Sequence, residues 1–210
     1  MLTKLSGLTV KYNNLPWRKT CFAPGDLKID LKDYLLSDPY RPGEHAIYDP
    51  DRGGIWTLQP NTIFTYDWQQ FMLHEIGVRV DLAQIFHRKP YYQHPGAHVD
   101  IDQNDTLYGG GLNWTLDPDD AEMVWYDTPS SDPIYTRRSE TDRNKEWPLE
   151  MLTEHARCTI GQIPTLVRTD LPHTVHMGAN ERWLISVRFT WLQSWEQYLN
   201  AFHSWIEEDV

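Results

Sequence analysis

The chain has 210 residues, a net charge of −11, and 40 % hydrophobic residues that include ten tryptophans. A chain of this length can bury a proper core, and its composition is globular, which excludes a disordered class. Acidity scattered along the whole sequence excludes a broad basic face for phosphate backbone, so no nucleic-acid partner is expected.

Cys21 and Cys158 stand far apart and outside any metal-binding spacing, so no disulfide framework is indicated. The opening residues, MLTKLSGLTVKYNN, contain no apolar h-region. No apolar run approaches the roughly 18–20 residues of a membrane helix. The expectation is a cytoplasmic protein with no membrane partner, built as one domain over residues 1–210 around a core at about 78–189.

Residues 1–60 are punctuated by Pro16, Pro24-Gly25, Pro39, Pro42-Gly43, Pro50, Gly53-Gly54 and Pro60. Short strands and turns are predicted there, with at most a short helix over 31–36, wrapping a core built by later residues. Residues 67–75 (DWQQFMLHE) place Trp68, Phe71 and Met72 on one helical face, and Gly77 is placed to end that helix. The period then changes to two. Val78, Val80 and Leu82 alternate with Arg79 and Asp81, which predicts a half-buried strand running on toward Pro90.

From there to residue 189, short β-segments are predicted at 97–101, 112–116, 123–126, 134–136, 159–163, 165–168, 174–177 and 183–189. Gly109-Gly110-Gly111, Asp117-Pro118 and Gly178-Ala179-Asn180 supply the breaks. Many short strands at this spacing predict a mainly β sandwich or barrel, the jelly roll among the options. Residues 128–143 are charged and rich in Ser, Thr and Pro, and read as a long exposed loop, a candidate lid. The stretch 193–207 carries an apolar stripe of Trp195, Tyr198, Leu199, Phe202, Trp205 and Ile206, which predicts an amphipathic C-terminal helix packed on the outside of a sheet.

The chemistry-bearing residues fall in two stretches. The first is HPGAHVDIDQNDTLYGGGLNWTLDPDDAEMVWY, the second PHTVHMGANERWLISVRF. In a strand, His98 and Asp100 point to the same face and can share one metal. A third ligand must come from elsewhere, and His173 is the leading candidate. His176 and Asp102 are rivals, although His176 faces away if His173 faces in. Two imidazoles and one carboxylate on one face of an octahedral ion leave three positions open, which suits non-haem Fe(II) and its O2 chemistry. Asn113 and Tyr126, next to Trp114 and Trp125, either hydrogen-bond a cosubstrate or substrate or satisfy buried backbone. His87, Arg88 and Lys89 read as a solvated rim, and His94 as a loop residue.

The order His98-x-Asp100, then His173, then Arg182 nine residues on, resembles the Fe(II)/2-oxoglutarate-dependent dioxygenases. GLNWTL…MVWYD followed by PTLVRTDLPHTVHMGANERWLISVRF resembles, more narrowly, the aspartyl/asparaginyl β-hydroxylase-like branch. The resemblance covers about 78–189. It implies a double-stranded β-helix, the jelly-roll barrel of the cupins, with flanking helices. It also implies Fe(II) held by His98, Asp100 and His173, with 2-oxoglutarate as cosubstrate and O2 as oxidant. Arg182 would hold the distal carboxylate of 2-oxoglutarate through two parallel hydrogen bonds. Many relatives carry Arg-x-Ser, whereas here position 184 is Leu and the serine comes at 186. Arg182, Leu184, Ser186 and Arg188 share one face of a regular strand, so Arg188 is a rival anchor.

The function this implies is hydroxylation of an amino-acid-type substrate, free or in a peptide, with succinate and CO2 as coproducts. The acidic surface favours a small or basic target. Two other readings stay open: a non-catalytic jelly-roll module that binds or assembles through its aromatic residues, and a cupin metalloenzyme that uses no 2-oxoglutarate.

Overall fold

The computed structural model describes residues 15–39, 45–94, 96–101, 106–118, 120–137 and 143–207, with the backbone alone at 45–46, 135–137 and 143–144. The described elements, in chain order, are β1 (Trp17–Lys19), α1 (Leu31–Ser37), β2 (His45–Asp49), β3 (Gly53–Leu58), α2 (Pro60–Ile63), α3 (Tyr66–Phe71), β4 (Val80–Arg88), β5 (Gly96–Val99) and β6 (Gly110–Thr115). They continue with β7 (Glu122–Tyr126), β8 (Ile134–Arg137), β9 (Arg143–Pro148), β10 (Glu154–Thr159), β11 (Thr165–Arg168), β12 (His173–His176), β13 (Arg182–Phe189) and α4 (Trp195–Phe202). No described helix is long and apolar enough to cross a membrane.

The strands form two antiparallel sheets. The larger has the order β1-β11-β6-β13-β4-β3-β2, and the smaller β10-β7-β12-β5-β9-β8. Neither closes on itself. The mainly β class predicted from turn spacing is what is observed.

Alternation along β13 decides what each face of the larger sheet meets. Trp183, Ile185, Val187 and Phe189 project to one side, where they join Trp56, Leu58, Leu112, Trp114 and Leu166 beneath the helices. Leu31 and Leu35 of α1, Ile63 of α2, Trp68 of α3, and Tyr198 and Phe202 of α4 cover them. Each fully buried aromatic of this kind holds about 3–5 kcal/mol against truncation to Ala. The space between the sheets carries a much smaller apolar cluster: Met123, Trp125, Ile160, Val167 and Leu184. The main core therefore lies outside the sandwich, and the inner face of β13 carries Arg182, Ser186 and Arg188 beside Leu184, all buried.

Local chemistry explains most element boundaries. Asp30 caps α1 by accepting from the Asp33 amide. The helix predicted at 67–75 begins at Tyr66 behind the Thr65 cap, loosens into a π-turn over Met72–Ile76, and stops at Gly77 with φ 81°. At α4, Ser194 and Gln197 form a capping box. This helix is shorter than the predicted 193–207. Past Phe202 the chain leaves helical geometry to pair with the N-terminal edge: Ile206 bridges Thr20, and Cys21 donates its amide to Trp205.

One predicted strand is misplaced and one observed strand is not predicted, for one reason. The segment predicted at 159–163 is displaced to Glu154–Thr159, and Arg143–Pro148 was expected to be loop or unassigned. Both carry charges where periodicity looks for apolar residues. β10 is an exposed edge held to β7 by backbone pairing and by Arg157, which bridges Glu154 and Glu122. The loop read over 128–143 contains β8, which pairs with β9, and residues 138–142 lie outside the described residues.

The expected solvated rim at His87 is a further correction. His87 is 1 % exposed, stacked 4.2 Å from Trp183 on the helix-covered face, with Nε2 bonded to Glu181. Desolvation by burial outweighs Glu181 and holds the imidazole below the usual histidine range. A depressed folded-state pKa gives stability that is present above the unfolded value, about 6.5, and is lost as pH falls below it. Chemical denaturation at stepped pH should therefore show stability declining on the acid side of that value, with a shallower decline in His87→Gln.

Candidate metal centre

β5 and β12 pair through a single register position, at which His173 stands opposite His98. Opposed residues on antiparallel strands project to the same face with Cβ atoms about 4.5–5.5 Å apart. The two rings accordingly lie 4.6 Å apart, tilted by 48°. Asp100 follows β5 directly. Its backbone is clamped on both sides, the amide donating to Thr169 O at 3.0 Å and the carbonyl accepting from the Tyr108 amide at 2.9 Å. Asp100 Oδ1 then lies 3.6 Å from His98 Nε2 and 3.9 Å from His173 Nε2.

These three residues offer ligand atoms within 4.8 Å of one another, and they are the one such group among the described residues. Their chemistry fits a divalent ion. His173 Nδ1 lies 2.9 Å from the Leu171 carbonyl, an oxygen that can only accept. Nδ1 therefore carries the proton, and the Nε2 lone pair points at the centre, as metal-bound histidines are usually held.

The facing sheet supplies the surroundings. Arg188 donates through Nη2 to Asp100 Oδ2, the carboxylate oxygen turned away from the histidines, and packs 5.8 Å over the Tyr108 ring. Ser186 stands opposite Asn113 of β6, so both side chains share the inner face with Arg188. Asn113 Oδ1, Ser186 Oγ and Arg188 Nη1 are buried with no hydrogen-bond partner among the described residues. Orphaned polar atoms are rare in native interiors, and a row of them marks a place where a polar ligand belongs. Arg182 is buried on the same face at the far end of β13. There its charge opposes the burial that pushes the Cys158 thiol up to about 12.

Tyr126 does not join this group. It lies on the outer face of the smaller sheet with Ala97 and Val124, and its hydroxyl meets His176 Nε2 at 3.2 Å. The parity of β7 explains the misplacement: Trp125, one residue earlier, takes the inner position opposite His173. His176 is turned outward for the same reason, and Asp102 lies outside the described residues. His94, read as a loop residue, stands with its ring 5.7 Å from that of His98. No periodicity argument could place it, because it precedes the strand.

Gly111 reports on how tightly Arg188 is held. A Cβ at this position would fall 1.5 Å from Arg188 Nη1. Gly111→Ala must shift the guanidinium, which is expected to loosen its bond to Asp100. Metal affinity is expected to drop roughly 10–100-fold, the usual effect of disturbing a ligand's outer partner, and a Co(II) titration beside a thermal melt would measure it.

Compared with known proteins, the chain matches no family model and no curated protein.

Proposed function

We propose that the protein is an Fe(II)- and 2-oxoglutarate-dependent dioxygenase that hydroxylates an amino-acid-type substrate. The observation that carries this reading is the pairing of a His98–Asp100–His173 group with a buried polar row, Arg182, Ser186, Asn113 and Arg188, on the facing sheet. The strand order supports it. Counting β4, β5, β6, β7, β10, β11, β12 and β13 as 1 to 8, one sheet runs 6-3-8-1 and the other 5-4-7-2. Successive strands of this set thus alternate between the two sheets, except 4 and 5, which pair within one, and this order supports a jelly-roll reading of the fold.

With both bound, Fe(II) and 2-oxoglutarate would supply oxidative decarboxylation by O2 to succinate and CO2, coupled to hydroxylation of a C–H bond. The chain's own contribution is binding and orientation. His98, Asp100 and His173 would hold the metal by one face. Arg188 fixes which Asp100 oxygen is presented to it. Arg182 would take the distal carboxylate of the cosubstrate in a fork-to-carboxylate bond, with Ser186 and Asn113 lining the path between.

The test is equilibrium dialysis of labelled 2-oxoglutarate with and without Fe(II), followed by succinate release in air. The reading requires metal-dependent binding. Metal binding with no 2-oxoglutarate binding would leave a cupin-type metalloenzyme in its place.

A further inference from the structure

A cavity of about 300 Å³ lies where the end of β3, α2, α3 and the start of β4 meet. Its polar lining is Gln59, Asn61, Gln69, Gln70, Arg79 and Asp81, none of which belongs to the metal centre. That volume is at the lower end of the range for small-ligand sites and has room for one ring-sized molecule.

The polar groups are committed only in part. Gln69 uses its amide nitrogen on the Phe64 and Thr65 carbonyls, at 3.3 and 3.4 Å, which leaves Oε1 as an acceptor. Gln70 uses Oε1 on His74 Nε2 at 2.9 Å, which leaves its amide N–H groups as donors. Gln59 stands at the N-cap of α2 but makes no capping bond with its side chain. Arg79 is a donor and Asp81 an acceptor, and neither makes an ion pair among the described residues. Donors and acceptors therefore mix around the cavity, and the two charges cancel. A matching ligand offers both functions in each of its groups and carries no net charge. A hydroxyl does so, with one O–H and two lone pairs, whereas a carboxylate only accepts and an ammonium only donates.

An independent feature stands at the Arg79 end. The Thr190 amide donates to the Arg79 carbonyl at 2.9 Å, and Phe189 pairs with Val80, so the chain leaving β13 is fixed to this wall. The next residue, Trp191, is 77 % exposed and has φ 71°. The Leu192 amide closes the turn on the Phe189 carbonyl, with Trp191 at the third position, where this backbone favours glycine. A lone exposed aromatic needs no explanation. One held in strained backbone does, because such outliers cluster at ligand clamps. Its flat ring offers an apolar face to the C–H side of a sugar.

We propose that this cavity binds one ring of a neutral saccharide, with the polar side chains taking its hydroxyls and Trp191 its apolar face. The site is independent of the metal centre, and its test does not involve the dioxygenase reading. Saturation-transfer NMR and calorimetry on the whole chain use the methyl glycosides of D-glucose, D-galactose, D-mannose and N-acetyl-D-glucosamine as neutral probes. D-Glucuronate, D-glucosamine and L-alanine serve as the anionic, cationic and zwitterionic probes. At least one neutral glycoside should bind, and tighter than any of the charged probes. Asp81→Ala should weaken it at least about tenfold, the scale of a hydrogen bond to a charged group. Trp191→Gly should weaken it too while raising the melting temperature, because glycine adopts this φ without strain. Those opposite movements separate a ligand contact from a structural one. No binding of any neutral glycoside, tighter binding of a charged probe, or full affinity in Asp81→Ala or Trp191→Gly would overturn the proposal.

Discussion

Asp100→Ala is expected to strip the centre of its metal, lowering Co(II) affinity by at least about a hundredfold, since disturbing even an outer partner of a ligand lowers affinity ~10–100-fold. Succinate formation should fall with it. The substitution removes one of the three candidate ligands and also the acceptor that Arg188 holds. An uncompensated buried guanidinium destabilises the fold as well, by roughly 3–5 kcal/mol when a buried pair is broken. Asp100→Asn separates the two effects, because the amide oxygen still accepts from Arg188 while the anionic ligand is gone. It should melt close to the wild type and still bind Co(II) poorly. Optical titration with Co(II) and a thermal melt on the same samples give both numbers. Wild-type affinity in Asp100→Ala would remove the carboxylate from the ligand set.

Arg182→Ala should have the second-largest effect, and on a different quantity. Truncating one member of a buried, hydrogen-bonded charge pair costs about 2–5 kcal/mol of binding, which lowers 2-oxoglutarate affinity by roughly thirtyfold or more. Co(II) affinity should be unchanged, because Arg182 lies at the opposite end of β13 from Asp100. Arg188→Ala should show the reverse pattern, with weakened metal and a smaller effect on the cosubstrate. Arg182→Lys keeps the charge but loses the planar fork, and should fall between the wild type and Arg182→Ala. Dialysis of labelled 2-oxoglutarate against all three variants at saturating Co(II) makes the comparison. If Arg188→Ala loses 2-oxoglutarate and Arg182→Ala does not, the anchor is Arg188.

The parts of this molecule that were legible in the sequence are those governed by alternation. β4, β6 and β13 were placed to within two residues, because burial on one or both faces leaves an apolar signature. The same parity argument put His98 and Asp100 on one face and turned His176 away from His173, whereas His173 itself was marked by the apolar strand that follows it. Parity failed where charged residues break the apolar alternation. β9 and β10 carry Arg143, Lys145, Glu154 and Arg157, so their strand character comes from their neighbours. It also failed for Tyr126, where a run of four buried residues on β7 gives no hint of which two face inward. His94 reads only as a loop residue because it stands before a strand, where alternation says nothing.

β13 serves both sides of the larger sheet at once, odd positions feeding the tryptophan-rich layer beneath the helices and even positions feeding the polar chamber. Its side chains are therefore locked in phase. Inserting or deleting one amino acid between 182 and 188 would turn part of the strand over, driving a guanidinium into the oily layer and an isoleucine or valine toward the histidines. Evolution can exchange residues along this strand one at a time, but it cannot change the strand's length.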